Sequence, residues 1–81
     1  MKAKGMFRKL KYKRNKDKDK IEYSKYIKLD NYESLYYTII FNKNKKRIEL
    51  DQDDFYEENY ILTLEELQAI NKQVEELGWN K

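Results

Sequence analysis

Residues 62–79, LTLEELQAINKQVEELGW, constrain the fold more than any other stretch of this chain, because both ends of one helix are written into them. Thr63 followed three residues later by Glu66 is a capping box, in which the hydroxyl accepts the third amide and the carboxylate accepts the cap amide. Leu62 and Leu67 stand at the two positions of a hydrophobic staple, and Glu65 and Glu66 face the positive end of the helix dipole. Leu64, Leu67, Ile70, Val74 and Leu77 recur at steps of three and four, which predicts one narrow apolar stripe. Gly78 supplies the left-handed residue that stops the helix, and Trp79 then folds back towards Val74 in a Schellman turn. A helix of about fifteen residues is marginal alone in water, so the stripe requires a partner surface upstream.

The chain has 81 residues, no cysteine, no histidine and no proline. A domain of this size buries only roughly 60 % of the surface its unfolded chain exposes, so the core is expected to be thin, one sheet face against one helix. Without cysteine there is neither a disulfide framework nor a thiolate metal site. No apolar run reaches the roughly 18 residues of a membrane span, and the basic start lacks the apolar segment of a signal peptide. The expectation is a cytoplasmic protein with no membrane partner. Charge is uneven: residues 1–47 hold 16 basic against 5 acidic side chains, and residues 48–81 hold 2 against 10, balances of +11 and −8 within a net +3. Such asymmetry points either to a charged partner or to halves that neutralise each other in the fold.

Taken in order, residues 1–20 form a basic segment in which Phe7 and Leu10, three apart, predict one helical turn pinned to the core. Residues 13–20 (KRNKDKDK) read as a solvated loop, with a phosphate-contacting arm as the functional alternative. Residues 21–29 alternate, with Ile21, Tyr23, Ile27 and Leu29 on one face, which predicts a half-buried strand. Residues 30–34 are a turn. Residues 36–42 (YYTIIFN) are β-branched and aromatic, a central strand with Tyr37, Ile39 and Phe41 towards the core and Tyr36, Thr38 and Ile40 outward. A polar turn at residues 42–46 gives positive φ to Asn42 or Asn44. Residues 47–51 return as a strand with Ile48 and Leu50 inward. The predicted fold is α+β: an antiparallel meander of three to four strands at residues 21–51, an acidic loop at 52–62, and one C-terminal amphipathic helix at 63–78 on one face.

The ending LTLEELQAINKQVEELGW, the FRKL start and the YYTIIFNKNKKRIEL hairpin together resemble a family of short uncharacterised proteins encoded by phages and prophages of Gram-positive bacteria. The resemblance is strongest over residues 63–79 and looser over 6–51. It implies a small accessory protein acting in the cytoplasm of an infected bacterium, and carries no activity with it. In that family the FRKL start is commonly followed by Gly-Tyr, whereas here Lys11 precedes Tyr12, which leaves open whether the same turn forms.

Catalysis is tested by elimination. Without histidine or cysteine the chain lacks the usual general base near neutral pH, the imidazole metal ligand and the thiol nucleophile. Ser24 and Ser34 have no base nearby in sequence, and Gly5 and Gly78 cannot build a phosphate-cradling loop. The carboxylates Asp51, Asp53, Asp54, Glu57 and Glu58 are chemically suited to a hard cation. Their spacing departs from a calcium loop, since Phe55 and Tyr56 take the places of a ligand and the turn glycine. The expectation is no enzyme, no cofactor and no bound metal.

Binding remains, in three versions. In the first, Asp53, Asp54, Glu57, Glu58, Glu65, Glu75 and Glu76 present carboxylates as a nucleic acid presents phosphates, and dock into a nucleic-acid-binding host protein, such as a nuclease of antiviral defence. Glu75 and Glu76 motivate this version. They meet the negative end of their own helix dipole, and local rules are broken at functional sites; Lys72, four residues before Glu76, offers a local offset. In the second, RNA or single-stranded DNA lies on a basic sheet face where Tyr26 and Tyr36 stack bases, surrounded by Lys25, Lys28, Lys43, Lys45, Lys46 and Arg47. In the third, the face carrying Tyr36 and Ile40 pairs with a second copy. A monomer or weak homodimer is expected.

Overall fold

The computed structural model describes residues 1–28, 34–53 and 62–80. Among them are helix α1 (Ala3–Lys9), strands β1 (Lys13–Lys16), β2 (Lys20–Lys28), β3 (Ser34–Asn42) and β4 (Arg47–Asp53), and helix α2 (Leu64–Leu77). The fold is α+β, with one antiparallel sheet in the order β1-β2-β3-β4. The turn expected at residues 30–34 lies, except for Ser34, outside the described residues. So do Leu29 and most of the acidic loop, including Phe55 and Tyr56.

β2 and β3 pair over nine residues, from Lys20 opposite Asn42 to Lys28 opposite Ser34. Because side chains alternate along a strand, this register puts Ile21, Tyr23, Ile39 and Phe41 together on one side, where all four are buried. β4 adds Ile48 opposite Phe41 and Leu50 opposite Ile39. Ile48 is half-buried, but Leu50 stays exposed, as befits an edge strand. Tyr36 faces the other way and is exposed, whereas Thr38, also on that side, is closed in at the centre of the sheet.

The sequence KRNK is strand β1 rather than the solvated loop its charge predicts. It pairs along the outer edge of β2, Lys13 opposite Ser24 and Lys16 opposite Ile21, with all four side chains exposed. Hydropathy cannot report such a strand, because an edge needs only backbone partners and lysines there discourage pairing with another chain. Asp17 closes the hairpin by accepting the amides of Asp19 and Lys20 at 2.8 and 3.0 Å. The β3–β4 turn spans residues 43–46, and its positive φ falls on Lys46 (52°), not on either asparagine. Asn42 instead uses its side-chain oxygen to accept the Lys45 amide at 3.0 Å.

Both helices contribute to the core on the sheet's apolar side. The expected single N-terminal turn is a seven-residue helix whose Phe7 lies fully buried, stacked on Tyr23 at 3.8 Å between ring centroids and edge-on to Tyr12 and Phe41. α1 ends in its own Schellman turn: Tyr12 donates to Phe7 and Lys11 to Arg8, each at 3.0 Å, with Lys11 left-handed at φ 72°. The turn left open by the absence of glycine therefore forms with lysine.

α2 starts and stops where its sequence predicts. Thr63 and Glu66 complete the capping box, with Gly78 at φ 74°, and Trp79 donates to Val74 at 3.2 Å. The Trp79 ring reaches Phe41, 6.3 Å away. The helix is rotated from the expected stripe, however. Its buried residues are Glu66, Ala69, Ile70 and Gln73, while Leu64 is 66 % and Leu67 44 % exposed. The cause lies beneath it. Tyr12 and Tyr23 are buried with hydroxyls that must find acceptors, and Glu66 and Gln73, two turns apart on one face, supply them.

Candidate functional site

A polar seam joins α2 to the N-terminal half. Glu66 accepts the Tyr12 hydroxyl through one carboxylate oxygen and the Thr63 amide, at 3.0 Å, through the other. Gln73 accepts the Tyr23 hydroxyl at 2.6 Å, and the Tyr23 oxygen in turn accepts Nε of Arg14 at 3.3 Å. Burial pushes the Tyr23 phenol up from its ordinary value, with neighbouring Arg14 opposing that rise and Glu76 adding to it. Sequence periodicity missed this seam because it counts only apolar positions. Glu66 and Gln73 at a spacing of seven, opposite two core-facing tyrosines, were the available signal.

Glu76 closes the seam at its far end. Its carboxylate accepts the amide of Ala3 at 2.7 Å. α1 has no acidic residue in its first turn, and its cap residue, Lys2, gives no side-chain cap. The carboxylate therefore stands at the positive end of α1, which offsets its unfavourable position at the negative end of α2. Lys72 pairs not with Glu76 but with Glu75, at 3.5 Å.

The candidate acidic docking residues are thus not one surface. Glu65 and Glu75 are exposed on α2, Asp53 is exposed on the side of the sheet that neither α1 nor α2 covers, and Glu76 is committed to α1. Asp54, Glu57 and Glu58 lie outside the described residues. Among the described residues no three carboxylates converge as a metal site would require.

The tyrosine-bearing basic face is also divided. Tyr26 and Tyr36 are direct cross-strand partners, 64 % and 45 % exposed. Register places Lys13, Lys20, Lys28 and Arg47 on their side, but also Glu22, Glu49, Asp51 and Asp53. Two of those cations are already near carboxylates, Lys20 to Glu22 at 4.0 Å and Arg47 to Glu49 at 3.7 Å. Lys25 points to the opposite side, its ammonium 5.4 Å above the Tyr12 ring. Lys43, Lys45 and Lys46 sit in the β3–β4 turn. The uncovered sheet face is consequently mixed in charge rather than basic.

The concentrated positive surface lies elsewhere. Residues 1–16 contain eight Lys and Arg and no acidic side chain. Four of them, Lys4 and Arg8 from α1 with Lys13 and Arg14 from β1, line an open groove of about 420 Å³ floored by Tyr12 and Tyr23. No helix among the described residues is long and apolar enough to cross a membrane. Comparison with protein-family models, with curated proteins and with solved structures finds no match for this chain.

Proposed function

We propose that this protein is a small non-catalytic accessory protein of phage type that binds and inhibits a host protein, a nuclease of antiviral defence being the target class that its charge fits. The observation that carries this reading is the outward face of α2, where Leu64 and Leu67 are left to solvent with Glu65 between them and Glu75 further along. Apolar side chains presented among charged ones are the usual composition of a protein contact, with the leucines as anchors and the carboxylates as rim. The rim's sign suits a basic groove, the kind a nuclease offers to its substrate. Without imidazole or thiol, and with its buried phenols hydrogen-bonded to Glu66 and Gln73, the chain is better equipped to occupy a partner than to transform one.

The test is affinity capture from a nuclease-treated lysate of a Gram-positive host. Wild-type protein retains one host nuclease and inhibits its purified form. Leu64→Asp/Leu67→Asp, which stays folded because both positions are exposed, loses roughly 2 kcal/mol of binding per anchor. Retention of no protein, of a nuclease held equally by the variant, or of nucleic acid alone from an untreated lysate defeats the reading.

A further inference from the structure

The groove between α1 and β1 is a second, independent feature, of the opposite sign. We propose that it is a sequence-independent binding site for the phosphodiester backbone of single-stranded nucleic acid.

Four observations support it. Lys4 and Arg8 are one helical turn apart and exposed on α1, and Arg14, opposite Tyr23, approaches from β1 on the same side of the sheet, so three cations converge on one concavity, while Lys13, opposite Ser24, borders it from the other side of its strand. Among the described residues none of the four is in an ion pair, whereas the ion pairs that do occur involve Lys20, Arg47 and Lys72. Arg14 is braced: its Nε donates to Tyr23, which is itself held by Gln73 of α2, and this leaves the guanidinium's two terminal nitrogens for a ligand. A planar guanidinium fixed in this way is preorganised for phosphate oxygens. Residues 1–16 also supply four further cations, Lys2, Lys9, Lys11 and Lys16, and no acidic side chain. A lone small anion needs two or three donors; a polymer uses the whole run.

The same geometry excludes base readout. Tyr12 and Tyr23 are buried in the floor, with hydroxyls committed to Glu66 and Gln73, so neither ring is free to stack a base. The contact is to backbone alone, which carries no sequence information. A groove built from a two-turn helix and a four-residue strand admits one flexible backbone more readily than a rigid duplex. This site differs from the Tyr26/Tyr36 sheet face and does not depend on the α2 docking reading.

The experiment is fluorescence anisotropy of a labelled oligothymidylate of about twelve nucleotides, within the span that single-strand sites commonly cover. Three phosphate contacts predict a slope of log K against log salt of about −2.1, hence about 18-fold weaker binding at 0.2 M than at 0.05 M salt. Lys4→Gln/Arg8→Gln removes two contacts, so the slope falls to about −0.7 and affinity at 0.1 M salt drops about 25-fold. The control Lys28→Gln/Arg47→Gln makes the same charge change on the uncovered sheet face and leaves affinity within about twofold if long-range charge is screened. Oligomers of mixed sequence bind like oligothymidylate, and poly-glutamate and inorganic phosphate compete poorly. The site is overturned by absence of binding, by equal losses in both double variants, by a loss confined to Tyr26→Ala/Tyr36→Ala, by tighter binding of duplex, or by poly-glutamate or phosphate competing as well as the oligonucleotide.

Discussion

Lys11 stands at φ 72°, where a β-carbon crowds the following carbonyl and a glycine does not. Lys11→Gly is expected to raise the unfolding free energy by about 1 kcal/mol, or ~4–8 °C in melting temperature for a domain of this size. Thermal denaturation of the two proteins checks it, and an unchanged or lower melting temperature contradicts the left-handed turn. Tyr23 carries the pH dependence. Its phenol is raised in the fold, chiefly by burial. The stability it contributes is therefore fully present below the ordinary phenol range and is lost as pH rises through the folded value. Denaturant titrations should show the wild type weakening above about pH 10 more steeply than Tyr23→Phe. At neutral pH the variant is itself less stable by about 1–3 kcal/mol, since the acceptor on Gln73 is left without its donor. Asp17 acts in the opposite direction. The amides of Asp19 and Lys20 hold its carboxyl below the usual range, so its small contribution is present above that range and disappears as pH falls.

At the scale of elements, α2 shows what a sequence reports well and what it does not. Thr63, Glu66, Gly78 and Trp79 act within one or two turns, and each takes the position its chemistry predicts. Which side of the helix faces the sheet is decided by distant residues, and here two buried hydroxyls outweigh two leucines. β1 was hidden for a related reason, since its pairing uses backbone groups that no side-chain pattern reveals. The alternation in β2 and β3 was legible because one face of each carries the buried Ile21 and Tyr23, or Ile39 and Phe41, and continues through half-buried side chains. Of the candidate sites, the tyrosines and the excess of cations were legible individually. That Lys25 lies across the sheet from Tyr26, or that Glu76 caps another helix, depends on packing. Thr63→Ala should cost about 1 kcal/mol, the ordinary value of an N-cap. Phe7→Ala should cost about 3–5 kcal/mol, because its ring lies at the centre of the core. If Phe7→Ala instead costs less than the cap, α1 is not part of the core.

Over the whole molecule, the two chain ends close the same side of one sheet, with α1 and α2 in direct contact. This arrangement sets Leu64 and Leu67 outward and leaves the α1–β1 groove open, and the proposed docking surface depends on how far α2 is rotated about its axis. Nuclear Overhauser contacts read that rotation directly. The account predicts contacts from the Phe7 ring to the rings of Tyr12, Tyr23 and Phe41, and none from the methyl groups of Leu64 and Leu67 to any of these rings. Leucine methyls found against Tyr23 or Phe41, with Phe7 making no aromatic contact, would contradict it.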